Sequence, residues 1–563
     1  MSGELAFEWA RVLVRALVEA GVRLAVASPG SRSTPLMLAA AAEPRLDLEV
    51  VVDERSAAFF ALGAARVSGT PSLLLCTSGS AGAHYLPAIL EAQRSLLPLI
   101  ALTADRPWEL ARLHANQTLE QRGMLGLPTL ELGEPDADRL AFVPRIAAVA
   151  VQRATLPVPG PVHLNARFRK PLEPSGPTRE LALPPVRVEH AASTRVAVPA
   201  ALADAIAKAR RGLVVCGPRR GPASGDARLG RALGRFTRER GFALVAEVTS
   251  GVAHGPECEV LPAFDAWLPN ALSQGDAPDL VLELGSPPTS AAWERLAPTL
   301  GSRVVVSEDG FPDPTGTASA VVVASPALLV EALDPSGPRD RDWLARMAER
   351  AVRAERLLAE VCEGACLSEP ALAQSVFSAL PDGATVLLGN SLSVRDADLF
   401  ASRSRRAVTV LHQRGLSGID GLIAGAAGAK RALGPALPLF ALIGDVSALH
   451  DLGSLGLIAR AEGPLTLVVV DNGGGQIFSE LPVARAVSSA TLERLFLTPP
   501  PAGFLEHSAR AFGLAYERVS TRPELDRVLG ARAEGPRVVH ALVSPDDGRA
   551  RRRAVREALA VRA

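Results

Sequence analysis

Three absences narrow the field before any motif is read. Net charge is missing: Lys+Arg and Asp+Glu balance at 60 each over 563 residues, so no global field favours nucleic acid or an anionic membrane. Cysteine is scarce, five residues spread from Cys76 to Cys366, an odd number that builds no disulfide framework and points to a reducing compartment. Cys362 and Cys366 fit one helix face, yet no His or Cys nearby completes a zinc site. Long apolar runs are also missing, none approaching the roughly 18 residues that span a bilayer. The N-terminus does not read as a signal peptide, because Leu5, Trp9, Val12, Leu13 and Leu17 recur at helical spacing with charged residues between them. A cytoplasmic protein is expected. Its 48% apolar and 21% charged residues are ordinary for a globular chain, and its length asks for about three to four domains.

The most informative stretch runs from Leu437 to Phe478. An apolar run ends in Gly444-Asp445, a helical pattern follows through Ile458, and a second apolar run, Leu465 to Val470, ends in Asp471-Asn472-Gly473-Gly474-Gly475. This spacing predicts strand, crossover helix and parallel strand. Ligands of open parallel sheets sit outside the carboxyl ends of the strands, where both polar tips fall. Asp445 and Asn472 would then offer two oxygens to one hard cation, and Mg2+ takes such oxygens together with phosphate and water. The glycines let backbone groups approach a diphosphate. Taken alone, the stretch also describes an ordinary βαβ unit with a capping Asp and a glycine turn.

From the N-terminus, strands are expected at 24–27, 48–52, 72–77 and 97–103, each followed by a small-residue turn and helix. Polar residues recur at their carboxyl tips: Ser31 and Arg32, Glu54, Ser78, then Arg106. Glu54, beside a small apolar helix start, is a candidate for a raised pKa and proton chemistry; by itself, Asp-Glu-Arg is more often a surface salt-bridge cluster. Residues 157–199 are proline-rich and read as a last strand, 162–165, and a linker. A second α/β domain follows, with strands at 213–216, 243–247, 280–284 and 304–307. The glycine-rich turn after Cys216 is weak evidence for a nucleotide, and this domain reads as structural. Residues 339–363 read as an exposed helical connector. In the third domain, strand 385–388 places Ser391 and Arg395 at a carboxyl tip, and strand 408–411 leads to Arg414. A closing strand is expected at 537–542, and the arginine-rich tail reads as a solvated terminal helix. Three doubly wound parallel-sheet α/β domains are expected, at residues 1–185, 186–350 and 351–563.

Seven motifs, SPGSRSTPL, the Asp53-Glu54-Arg55 turn, LTADRP with HANQTLEQ, GNSLSVRD, RGLSGIDG, GDVSALHDL and DNGGGQIFSELP, occur in this order in the first and third domains. Together they resemble the 2-succinyl-5-enolpyruvyl-6-hydroxy-3-cyclohexene-1-carboxylate (SEPHCHC) synthases, thiamine diphosphate (ThDP) enzymes of menaquinone biosynthesis. The resemblance implies a pyrimidine-binding first domain, a diphosphate-binding third domain, and a homodimer or dimer of dimers with active sites between subunits. It implies Mg2+, with Mn2+ able to replace it, held by Asp445, Asn472 and the Gly474 carbonyl. Glu54 would hydrogen-bond the aminopyrimidine ring, and Ile419 would be the apolar wedge that bends the cofactor. Ser391, Gly444, Gln476 and Ile477 would complete the cofactor site. The implied substrates are 2-oxoglutarate and isochorismate, both carboxylates.

The residues themselves meet that demand. Arg32, Arg106, Arg395 and Arg414 supply forks for carboxylates at strand tips or the turns after them. Ser31, Asn116 and Gln117 supply neutral hydrogen bonds, and Ile477, Phe478 and Leu481 an apolar cover that excludes water. One departure stands out: Ala291 and Ala292 occupy positions where the resemblance implies a Lys or Arg, with Arg295 the nearest basic side chain. Loss of a charge-assisted hydrogen bond there costs about 1.5–3 kcal/mol. The departure keeps a second reading open, another ThDP-dependent 2-oxo acid decarboxylase or carboligase, beside a third, a ThDP fold that binds without turnover.

Overall fold

The computed structural model describes residues 2–111, 113–177, 186, 188, 195–401 and 406–561. Two compact units divide the chain, one of residues 1–191 with 415–434 and the other of residues 192–414 with 435–563.

The first unit carries one parallel sheet. Its strands are β1 (Leu24–Ala27), β2 (Asp47–Val50), β3 (Ser72–Cys76), β4 (Leu99–Asp105), β5 (Thr129–Gly133) and β6 (Pro161–Arg167), in the order β2-β1-β3-β4-β6-β5. Strands β3 and β4 are buried along their whole length, as continuous apolar runs with helices on both faces must be. The N-terminal helix Gly3–Glu19 is capped by Ser2, whose Oγ accepts from the Leu5 N–H, and buries Trp9, Leu13 and Leu17. The helix Leu422–Leu433 belongs to this unit and packs on helix Glu54–Ser68. Glycine permits the crossing: a Cβ on Gly63 would lie 2.0 Å from the Gly425 carbonyl oxygen, and one on Gly428 1.8 Å from that of Phe60.

The second unit carries two parallel sheets. The middle sheet holds β7 (Gly212–Cys216), β8 (Ala243–Ala246), β9 (Leu280–Leu284), β10 (Arg303–Ser307) and β11 (Ala320–Val323), ordered β11-β10-β9-β7-β8. The last sheet holds β12 (Thr385–Leu388), β13 (Thr409–His412), β14 (Leu439–Gly444), β15 (Leu465–Asp471), β16 (Ala515–Val519) and β17 (Pro536–Leu542), ordered β13-β12-β14-β15-β17-β16. Strand for strand this repeats the order of the first sheet. In both, the order reverses between the first and third strands, and such a switch point opens a crevice at the carboxyl ends. Ser31, Arg32 and Ser78 follow β1 and β3; Ser391 and Asp445 follow β12 and β14.

The structure departs from expectation at several elements. The additional strands β5, β11 and β16 are all sheet edges. The helix Arg341–Val361 is no exposed connector: it buries Trp343, Met347 and Ala351 against the middle sheet's core and Leu358 beside Phe400 and Val555. The expected boundary at 350/351 falls inside it, and residues 178–185, at the expected first boundary, lie outside the described residues. The tail helix Pro545–Val561 is not simply solvated, because Arg552 is buried among carboxylates. Among the described residues, no helix is long and apolar enough to cross a membrane.

Candidate functional site

In the last sheet, β14 and β15 run in register as far as Gly444 opposite Val470. Asp445 opens the helix Asp445–His450, and the Asn472-Gly473-Gly474 turn follows β15. The buried Asp445 carboxylate joins the two tips: Oδ2 accepts from the Gly474 N–H at 2.7 Å and Oδ1 from the Val446 N–H at 2.7 Å. Burial pushes its carboxyl up to about 6 against these two bonds. Gly473 (φ 77°) and Gly474 (φ 110°) adopt left-handed backbone that a side chain resists. The close approach that Gly474 permits is to its own chain, since a Cβ there would lie 2.1 Å from the Leu497 carbonyl oxygen; at Gly444 a Cβ would meet open space. Asn472 is also buried, and its Nδ2 donates to Glu369 Oε1 at 3.1 Å.

Sequence reasoning missed His540, Tyr516 and Arg549, which lie behind these tips. Asp471 Oδ2 is bonded to His540 Nε2 at 2.8 Å, and His540 Nδ1 to the Tyr516 hydroxyl at 2.7 Å. That His540 hydrogen bond holds the Asp471 carboxyl below its usual range. Gln476 Oε1 accepts from Arg549 Nη1 and Ser479 Oγ, each at 3.1 Å. Phe478 packs on Phe496 with ring centroids 5.5 Å apart; Ile477 is half-buried and Leu481 exposed.

Ser391 holds φ at 69°, and its carbonyl accepts from Arg395 Nη1 at 2.7 Å. Arg414 Nη1 donates to Asn390 Oδ1 at 3.0 Å. Three acids face these arginines. Burial pushes Asp398 up to about 7, and burial with the Asp398 charge pushes Glu247 up; Arg414 opposes both. Burial raises Asp265 to about 6, opposed by Arg295 and then Arg395. Asp398 Oδ1 accepts from the Val248 N–H at 2.5 Å, and Glu247 Oε1 from the Ser290 N–H at 3.0 Å. Ser290 caps the helix Ala291–Leu296, so the two alanines of the departure lie in the same neighbourhood as Arg295 and Arg395. No local sequence signal marks these acids, because their meeting is tertiary.

In the first unit, Glu54 begins its helix behind Asp53, whose Oδ1 accepts from the Arg55 N–H at 2.9 Å. Glu54 is half-buried, and its charge adds to the burial that pushes the Cys76 thiol up to about 12. Arg32 Nη1 donates to the Phe168 carbonyl at 2.7 Å; burial, then the neighbouring Arg106 charge, lower its pKa. Arg106 donates to Ser78 Oγ and, at 2.6 Å, to the Gln117 carbonyl, while Gln117 Nε2 donates to the Ser78 carbonyl at 3.0 Å. Arg32, Arg106, Ser78 and Gln117 therefore form one cationic tip, with Ser31 and Asn116 exposed on adjoining turns. Ile419, 37% exposed, lies just beyond Gly415 and Leu416, whose N–H groups donate to Glu91 at 3.0 and 2.7 Å.

Among the described residues, no group of three or more His, Cys, Asp or Glu is placed to hold a metal ion. The set after β14 and β15 is of another kind: one carboxylate, one amide and a backbone carbonyl. All three can offer hard oxygens, the donor type that Mg2+ takes together with phosphate and water.

The first and last sheets each overlap a known cofactor-binding family. The thiamine pyrophosphate enzyme N-terminal TPP binding domain matches residues 7–124, and the corresponding C-terminal TPP binding domain matches residues 396–541. The class is thus that of the thiamine pyrophosphate enzymes. Within it, the SEPHCHC synthase of Sorangium cellulosum (strain So ce56) is 47% identical over 96% of this chain and 94% of its own length. Those of Myxococcus xanthus (strain DK1622) and Halorubrum lacusprofundi are 38% identical over 94% and 92%, and 37% identical over 92% and 89%. The chain belongs to the SEPHCHC synthase family.

Proposed function

We propose that this chain decarboxylates 2-oxoglutarate and adds the resulting four-carbon unit to isochorismate, releasing CO2. The observation that carries the reading is the Asp445–Gly474 bond, which ties two strand tips of the last sheet into one oxygen-rich turn. Asp445, Asn472 and the Gly474 carbonyl would hold Mg2+ against the cofactor's diphosphate, with Mn2+ an alternative ion. ThDP supplies carbanion-stabilising chemistry when bound. Ser391, Ile419, Gly444, Gln476 and Ile477 complete its site.

Glu54 is the carboxylate that would hydrogen-bond the aminopyrimidine and support proton transfer there. Arg32, Arg106, Arg395 and Arg414, with Ser31, Asn116 and Gln117, orient the carboxylates of the two substrates, and Ile477, Phe478 and Leu481 exclude water. Arg295, within electrostatic reach of Asp265 as Arg395 is, supplies the cation that Ala291 and Ala292 do not. The functional assembly is a cytoplasmic homodimer or dimer of dimers, with domains near 1–185, 186–350 and 351–563.

The test incubates protein, ThDP and Mg2+ with both substrates while CO2 and product mass are followed. An adduct of isochorismate and a succinic-semialdehyde unit is expected. CO2 without adduct would favour the second reading, a ThDP carboligase with another acceptor, which the alanines at 291 and 292 motivate; no CO2 would remove 2-oxoglutarate as donor.

A further inference from the structure

An asparagine side chain that ligates a cation has to present its oxygen and turn its nitrogen away. The two ends are nearly equal in shape, so a neighbour must decide between them. For Asn472 that neighbour is Glu369, 5% exposed, whose Oε1 receives Asn472 Nδ2 at 3.1 Å. A carboxylate only accepts, so it selects the nitrogen end. Glu369 is itself fixed. It opens the helix Glu369–Ala379 behind the cap Ser368, and Arg552 Nη2 lies 3.6 Å from its Oε2. Arg552 is anchored in turn by Asp396 Oδ1 and Glu480 Oε1, each at 3.1 Å. Gly548 makes the room, since a Cβ there would lie 1.7 Å from Glu369 Oε2.

We infer that Glu369 is a positioning residue that holds Asn472 with its oxygen toward the cation, and that Arg552 and Gly548 of the C-terminal helix hold Glu369. The inference rests on the proposed role of Asn472 as a ligand.

The test reads Mg2+ rather than turnover: the Mg2+ concentration that half-saturates ThDP binding, followed by quenching of tryptophan fluorescence, beside the melting temperature of the cofactor-free protein. In Glu369→Gln the new amide faces either Arg552 or the Asn472 nitrogen with its own N–H groups, and a 10–100-fold higher Mg2+ requirement is expected, the scale for residues that orient metal ligands. Adding Asn472→Asp restores the pairing: the amide now at position 369 donates to the carboxylate now at position 472 and turns its oxygen toward Arg552. The double variant is therefore expected to need less Mg2+ than either single variant. Gly548→Ala leaves Glu369 chemically intact and strengthens helix propensity, yet is expected to raise the Mg2+ requirement by displacing the carboxylate.

A wild-type Mg2+ dependence in Glu369→Gln, or no recovery in the double variant, overturns the inference while leaving Asn472 a ligand. Lower melting of the cofactor-free Glu369→Gln protein, without recovery of Mg2+ affinity in the double variant, would show a merely structural role and also overturn it. Wild-type protein whose ThDP binding ignores Mg2+ removes the reading of the site and the inference together.

Discussion

Glu91 offers a sharp test of how the Gly415–Leu416 segment is held. Its carboxylate is 4% exposed and takes four donors: Gly415 N–H at 3.0 Å, Leu416 N–H at 2.7 Å, Ser95 Oγ at 2.7 Å and Arg66 Nη2 at 3.3 Å. In Glu91→Gln one end of the amide accepts as before, but the other presents N–H groups to N–H groups. The buried Arg66, 2% exposed, also loses the charge it faces. Removing one partner of a buried ion pair costs about 3–5 kcal/mol. For a unit of roughly 200 residues each kcal/mol moves the melting temperature by about 2–4 °C, so the first unit is expected to melt at least about 6 °C lower. Near-UV circular dichroism would follow it. Ser95→Ala, which removes one donor to Glu91 and one acceptor of Arg66 Nη2 but no charge, should cost less, about 1–3 kcal/mol. A shift below about 2 °C in Glu91→Gln would refute the reasoning, because the four bonds would then not be held in solution.

Four further outcomes are expected. Glu54→Gln should leave ThDP binding largely intact and abolish turnover, and near-normal activity would strip Glu54 of its assigned role. Asp445→Ala should weaken Mg2+–ThDP binding, which a titration of fluorescence quenching reads directly. Trp343→Ala should cost about 3–5 kcal/mol, since Trp343 is 1% exposed and its Nε1 donates to the Asp276 carbonyl at 3.0 Å; a thermal melt unchanged by it would restore the exposed-connector reading. Burial opposes but does not outweigh the hydrogen bonds from Arg303, the Ala318 N–H and Thr315 that hold Asp313 down to about 2, from 3.8. Its stabilisation is therefore complete above about pH 4 and lost as pH falls toward 2, and Asp313→Asn should flatten that limb of an acid-unfolding curve.

Strands buried on both faces were legible almost residue for residue. Leu24–Ala27, Leu280–Leu284 and Thr385–Leu388 have the expected bounds, because an apolar run bounded by small and polar residues has few other uses in a parallel sheet. The edge strands escaped for the same reason in reverse. Ala515–Val519 reads AYERV and is half-exposed, so its composition resembles a loop. In helix Arg341–Val361 the charged residues hid the signal, although Trp343, Met347, Ala351, Ala354 and Leu358 keep helical spacing on one buried face.

The candidate site divides along a similar line. Tip residues such as Asp445, Asn472, Arg32 and Arg106 were legible because strand ends and glycine turns fix their position locally. The groups that orient them were not. Ser368-Glu369-Pro370 looks like any helix start, and Arg552 lies in a run of arginines that composition assigns to solvent. What distinguishes Arg552 from its neighbours is three carboxylates brought from residues 369, 396 and 480, a fact of packing alone. The two outer sheets make the same point at larger scale. They share one strand order, which requires only apolar strands and crossovers of suitable length, so their sequences need not be alike. Their tips carry different residues: Arg32, Glu54 and Arg106 on the first sheet, Arg395, Arg414, Asp445 and Asn472 on the last. On the proposed reading, the shared order would fix where ligands lie on each sheet, and the tip residues would decide which part of cofactor or substrate each place receives.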